Sequence, residues 1–277
     1  MKNENQDLTS SFPALSRTIR KNVLKMVATS KSSHVGSALS IVDILVVLYF
    51  KILRIKIPPQ KDDNRDRFIL SKAHASTALY ATLAERGFFP KEMLDKFYLD
   101  GGTLPGHLKR NIDLGIEVSS GSLGHGLSIG VGMAISNKHD KKDSKVYVLM
   151  SDGECDEGSV WEAALLAGHL KLDNLIAIVD YNKLQSFGRV KEVLDLEPFS
   201  KKWESFGWDA KEINGHNFQE ISDSLESIPI NPGKPRVIIA HTVKGKGVSF
   251  MEDRLEWHYK SPNPEQYEAA VKEIDVS

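Results

Sequence analysis

Residues 146–182 read VYVLMSDGECDEGSVWEAALLAGHLKLDNLIAIVDYN. Val146–Met150 is a short unbroken apolar run of the kind that fills a parallel strand buried on both faces, and Leu175–Val179 is a second one. Between them, about residues 158–170 carry a helical pattern. The alternation continues downstream, with a helix near 198–206, a short strand near 208–213, a helix at 218–228 and a further strand at Arg236–His241. Strands alternating with helices predict an α/β fold, a doubly wound, mostly parallel sheet with helices on both faces. Upstream the chain reads as helices. One covers Pro13–Thr29, with Leu15, Ile19, Val23 and Met26 on one face, and short ones cover 75–86, 91–98 and 125–138. Ser40–Leu53 is rich in β-branched residues, but its length and Asp43 near its start favour a buried helix. Gly126, Gly130, Gly132 and Ala134 suit segment 125–138 to close packing.

The 277 residues, read as a single domain over 1–277, carry 36 Lys+Arg against 37 Asp+Glu, a formal net charge of −1. This balance leaves no basic footprint for nucleic acid. The most apolar stretch, Ile41–Phe50, contains Asp43 and falls well short of the ~20 residues of a membrane span. The first residues, MKNENQDLTSS, are polar and lack the apolar segment of a signal peptide. A single cysteine, Cys155, forms no internal disulfide, which fits a cytoplasmic setting. It reads as an inert small residue before it reads as a redox-sensitive thiol.

Doubly wound sheets bind ligands beyond the carboxyl ends of their strands. The first strand of the block runs into Ser151-Asp152-Gly153-Glu154 and the second into Asp180-Tyr181-Asn182-Lys183-Leu184. Either segment alone reads as turn chemistry. Together, 30 residues apart with a strand–helix–strand between them, they place a carboxylate and an amide oxygen in one crevice. Such donors suit a hard divalent ion that keeps positions for water and phosphate oxygens. Gly153 permits close backbone approach to a diphosphate, near the N-terminus of the following helix.

At this point the sequence resembles the thiamine diphosphate enzymes, whose fingerprint of Gly-Asp-Gly and a closing Asn stands here as Ser151-Asp152-Gly153 through Asn182. Ser151 replaces the usual first glycine. The resemblance implies Asp152 and Asn182 as side-chain metal ligands and Leu184 as a ligand through its backbone carbonyl, with Mg²⁺, or Ca²⁺ or Mn²⁺, as the ion. Five of nine histidines sit in glycine-bearing or polar loop contexts: Ser33-His34-Val35-Gly36, Ser71-Lys72-Ala73-His74, Pro105-Gly106-His107, Gly124-His125-Gly126 and Trp257-His258. His241, before Thr242-Val243-Lys244-Gly245-Lys246-Gly247, is a sixth candidate. His139, His169 and His216 read as structural. The order of these segments resembles the N-terminal half of transketolase along almost the whole chain, in its split, two-chain form. His125 stands where that family often has glutamine.

The resemblance implies transfer of a two-carbon ketol unit from a ketose phosphate to an aldose. It assigns proton exchange with the sugar to His34 and His258, and the donor's C1 region to His107. His74, His125 and His241 are cofactor-binding candidates, with Ser122, Leu123 and Gly124 of the GSLGHG loop and Asp152, Gly153, Glu154 and Asn182. Glu162 has a family counterpart that pairs subunits, and reads equally as a solvated helix carboxylate. The family's cofactor-activating glutamate lies on a second, pyrimidine-binding domain, whereas this chain ends at Ser277. The expectation is therefore a partner chain carrying that domain, in an α2β2 heterotetramer. Two other readings share the metal fingerprint: one chain of a two-chain enzyme acting on 2-oxo acids, and a non-catalytic cofactor-binding scaffold. The histidine series favours the transketolase.

Overall fold

The computed structural model describes residues 10–57, 62, 64–226 and 232–276. Five parallel strands form one sheet: β1 (Arg67–Leu70), β2 (Val146–Ser151), β3 (Leu175–Tyr181), β4 (Asp209–Asn214) and β5 (Arg236–His241), in the order β1-β2-β3-β5-β4. Successive side chains point to opposite faces, so each central strand feeds two cores. Tyr147, Leu149, Ile176, Ile178 and Ile238 enter one. Val146, Val148, Met150, Ala177, Val179 and Ile239 enter the other. The first core is covered by α1 (Phe12–Ser30), α2 (Val35–Leu39), α3 (Val42–Val47) and α4 (Ser76–Arg86). The second is covered by α5 (Gly126–His139), α6 (Gly158–His169) and α7 (Phe199–Ser205). Helices on both faces of a parallel sheet are the architecture expected from the strand–helix alternation.

Two further helices, α8 (Phe218–Glu226) and α9 (Pro264–Val276), pack on the first face, with α9 against α1. Ser40–Leu53 is helical, as its length suggested: α3 runs into a π-helical turn at Leu48–Ile52. Segment 91–98 forms a 3₁₀ turn at Lys91–Lys96 instead of an α-helix. Residues 227 and 228 of the expected helix at 218–228 lie outside the described residues. Strand β1 is absent from the sequence reading. Its four residues, RFIL, follow the charged segment Asn64-Arg65-Asp66, and as an edge strand it pairs with β2 alone.

Gly126 and Gly130 of α5 do pack closely, against Ser71 and β2, whereas Gly132 faces open space. A Cβ at Gly130 would stand 2.6 Å from Val148 Cγ2 on β2. Gly130→Leu is therefore expected to cost about 1–3 kcal/mol through overpacking. Urea unfolding checks this, and an unchanged midpoint would refute the close approach.

Candidate active site

The strand ends build the site. Ser151 and Asp180 are partners in the β2–β3 register, so Asp152 and Asn182 leave adjacent strands at nearly one level. Both line a cavity of about 450 Å³, together with Leu184, Gly153 and Leu123. Asp152 Oδ1 accepts from Gly153 N at 2.7 Å and Oδ2 from Lys183 N at 2.6 Å. Asn182 Oδ1 accepts from Leu184 N at 3.1 Å, while its Nδ2 donates to Asp180 Oδ2 at 3.0 Å. Burial and the neighbouring Asp180 carboxylate push Asp152 up to about 6, a cost that a bound cation removes. Carboxylate, amide and carbonyl oxygens of residues lining one cavity, with the Leu184 carbonyl keeping a second lone pair beyond the bond it accepts from Lys244 Nζ at 2.8 Å, fit a hard divalent ion. Ser151 shows why glycine is not required at its position. Its hydroxyl accepts from Glu154 N at 3.2 Å and closes the turn after β2.

Beneath these oxygens lies a buried charge node. Lys72, fully buried, pairs with Asp180 and also donates to Ser37 O at 3.1 Å. Asp180 further accepts from Ser40 Oγ at 2.7 Å and from Thr242 Oγ1. Burial alone would raise Asp180, but the Lys72 ammonium outweighs it and holds the carboxyl below its usual range.

The structure also brings together His34, His74, His107 and His258, all lining the same cavity. Ring centroids lie 5.2 Å apart for His34–His74, 4.9 Å for His34–His258 and 5.9 Å for His74–His258. Burial, then the nearby His107 and the ammoniums of Lys244 and Lys72, lowers His34 to about 4. Burial and the same ammoniums, with His34, lower His258 to about 3. His74 is likewise held well below its usual value by burial and Lys72. At neutral pH these three rings are uncharged. His258 Nδ1 accepts a hydrogen bond from Lys244 Nζ at 2.8 Å, which assigns the ring's own hydrogen to Nε2.

Other sequence candidates stand elsewhere. His241 turns away from the cavity: its Nε2 meets Glu212 Oε2 at 2.8 Å and its ring lies 5.3 Å from Tyr181. His125 is exposed at the start of α5, with Nδ1 2.9 Å from Leu123 O. Glu154 is buried under the GSLGHG loop, where it takes hydrogen bonds from Ser71 Oγ and from Gly124 N at 2.8 Å. It shapes the loop holding Ser122, Leu123 and Gly124, and of these three Leu123 reaches the cavity. Cys155 is buried, and burial beside Glu154 pushes its thiol well up, which makes it inert. Two cavity residues, Lys72 and Lys244, carry no signal of their own in the sequence. Both stand in segments singled out for their histidines, Ser71–His74 and His241–Gly247.

The fold and the site define a thiamine diphosphate-binding α/β domain. Residues 13–272 match the family described as transketolase, thiamine diphosphate binding domain. The chain is 47% identical over 255 residues to one of the subunits of an apulose-4-phosphate transketolase from Phocaeicola vulgatus, covering 92% of this chain and 90% of that one. It is 43% identical to a 6-deoxy-6-sulfo-D-fructose transketolase subunit from a Clostridium species, covering 93% and 94%. The transketolase structure from Campylobacter jejuni superposes with a TM-score of 0.87 at 32% identity, over 96% of this chain and 43% of that one. The chain belongs to the transketolase family, as its thiamine diphosphate-binding part. Among the described residues, no helix is long and apolar enough to cross a membrane.

Proposed function

We propose that this chain is the diphosphate-binding subunit of a two-chain transketolase, which moves a two-carbon ketol unit from a ketose or ketose phosphate to an aldose. The observation that carries this reading is one cavity lined by Asp152, Asn182 and Leu184 together with four histidines. Asp152, Asn182 and the Leu184 carbonyl would hold Mg²⁺, or Ca²⁺ or Mn²⁺, against the diphosphate, with Gly153 and Leu123 leaving room for it. Thiamine diphosphate, when bound, supplies carbanion stabilisation.

The chain's own residues orient the sugar and move its protons. His34 is neutral at working pH, so one of its ring nitrogens takes a proton from a sugar hydroxyl and returns it. His258, with its hydrogen on Nε2, gives that hydrogen as a proton to a sugar oxygen and takes it back. His107 would hold the C1 end of the donor, and His74 would donate a hydrogen bond toward the cofactor. Glu154 acts as a support of the GSLGHG loop, and His125 and His241 carry no role inside the cavity of this chain.

A partner carrying the pyrimidine-binding domain completes the site. The Phocaeicola and Clostridium relatives, matched over nearly their whole lengths, are themselves named as subunits. Phe187 and Val193 line the cavity and remain exposed, Phe187 to 81%, so the mouth presents an apolar rim for another chain. On α6, exposed Leu165 and Leu166 flank Glu162 on a second such surface. An α2β2 heterotetramer in the cytoplasm buries both.

Calorimetric titration of thiamine diphosphate with Mg²⁺ into the chain, alone and mixed with a candidate partner, tests this. Tight binding confined to the mixture, with ketol transfer from a ketose phosphate, is the expected result. Turnover by the single chain, with contamination excluded, would remove the partner requirement. Action on a 2-oxo acid would replace the reaction.

A further inference from the structure

Behind the cavity, two helices and one loop meet on one carboxylate. Asp43 of α3 is buried and paired bidentately with Arg20 of α1, at 3.0 Å from Nη1 and 2.7 Å from Nη2. His216, in the β4–α8 loop, donates from Nδ1 to Asp43 Oδ2 at 2.8 Å. Burial alone would raise the Asp43 carboxyl, but Arg20 and His216 hold it well below the usual range.

Both of Asp43's partners reach onward to the same segment. His216 Nε2 accepts from Val243 N at 2.9 Å, which assigns the ring as neutral with its hydrogen on Nδ1. Arg20 Nε donates to Lys246 O at 3.1 Å. Lys244 stands between these two anchor points. Its Nζ donates to Leu184 O at 2.8 Å and to His258 Nδ1 at 2.8 Å, and its side chain is buried on the cavity wall. The following residue is tied to α2, just after His34, Gly245 N donating to Gly36 O at 2.9 Å.

Buried ion clusters are often replaceable by apolar residues at no loss of stability. An apolar trio would join α1, α3 and the β4–α8 loop equally well. It would not accept the N–H of Val243 or donate to the carbonyl of Lys246. Those two bonds are what the charged cluster adds, and both fall on the backbone flanking one active-site ammonium.

We propose that Asp43, Arg20 and His216 form a positioning cluster for Lys244, pinning residues 243 and 246 so that its ammonium bridges the Leu184 carbonyl and His258. His216 is thus a positioning residue acting through Lys244. Its effect on turnover rests on the transketolase reading above, whereas its effect on Lys244 does not.

The test uses the full chain and two variants of one residue. His216→Phe keeps the ring volume and removes both hydrogen bonds. His216→Gln keeps an acceptor within reach of Val243 N. Acetylation by acetic anhydride, followed by mass spectrometry, reads the reactivity of Lys244 against the other lysines. Lys244 labelling is expected to rise about tenfold in His216→Phe, the loss of roughly one buried hydrogen bond, and to stay within about twofold in His216→Gln. In the reconstituted enzyme, His216→Phe is expected to lower kcat about tenfold beside Lys244 and less than about twofold in the Lys244→Met background, the non-additivity of residues acting as a unit. Unchanged Lys244 labelling, a uniform rise over all lysines, or additive losses of kcat would overturn the proposal. If His216→Phe does not fold, His216→Asn, too short to reach Val243, takes its place with the same expectations. If no ketose is turned over with any partner, the labelling of Lys244 alone decides.

Discussion

Asp152→Ala is expected to abolish Mg²⁺-dependent binding of thiamine diphosphate while leaving the fold intact. Asp152 is the one carboxylate in the proposed ligand set, beside an amide and a carbonyl oxygen. Groups that merely support a metal ligand carry about 10–100-fold in affinity, so loss of the charged ligand itself should exceed about 100-fold. The fold should tolerate the change because the carboxylate is uncomfortable where it stands, raised to about 6 by burial and by Asp180. Removing it relieves that repulsion and frees only the N–H groups of Gly153 and Lys183. Calorimetry with Mg²⁺ present, together with far-ultraviolet circular dichroism, checks both halves. A variant that binds as tightly as the parent would sink the metal assignment.

The second large effect belongs to the buried Lys72–Asp180 pair. Lys72→Met leaves a fully buried carboxylate with hydroxyl and amide partners but no cation, and breaking such a pair from one side costs about 3–5 kcal/mol. Asp180→Asn in the same chain removes the stranded charge. The double variant is therefore expected to recover more than half of the loss, as seen in urea midpoints. Equal destabilisation of single and double variants would show that the pair is uncoupled. Because Asp180 also accepts from Asn182 Nδ2, Lys72→Met should weaken cofactor binding as well as stability. A buried charge pair placed under the ligand oxygens thus links the integrity of the core to the shape of the site.

The central block was legible because its strands are buried on both faces. Continuous apolar runs in 146–150 and 175–179 admit few alternatives, and adjacency of parallel strands then sends Asp152 and Asn182 to one crevice. The histidines that converge sit in short loops with polar or glycine neighbours, which local pattern can flag. His241 shows where that reasoning stops. It ends β5 on the same face as Val237 and Ile239, whose side chains enter the second core, so its ring meets Glu212 on β4 and not the cavity. Lys244, three residues later and beyond the end of β5, returns to the site, its Nζ donating to Leu184 O and the preceding Val243 N donating to His216. His216 carries no local sign of its reach either, since its bond to Asp43 spans 173 positions.

The sequence by itself determined the alternation of strand and helix, the two-sided burial of the central strands and the residue types at their carboxyl ends. These follow from periodicity and turn chemistry, which act over a few residues. Only the tertiary structure decided that β1 exists as an edge strand, that four of the candidate histidines share a cavity and that Lys72 answers Asp180 across 108 positions. Those pairings depend on which faces are brought together when both cores close. Long-range electrostatics inside a low-dielectric core selects partners by distance in space, and no local pattern along the chain encodes that distance.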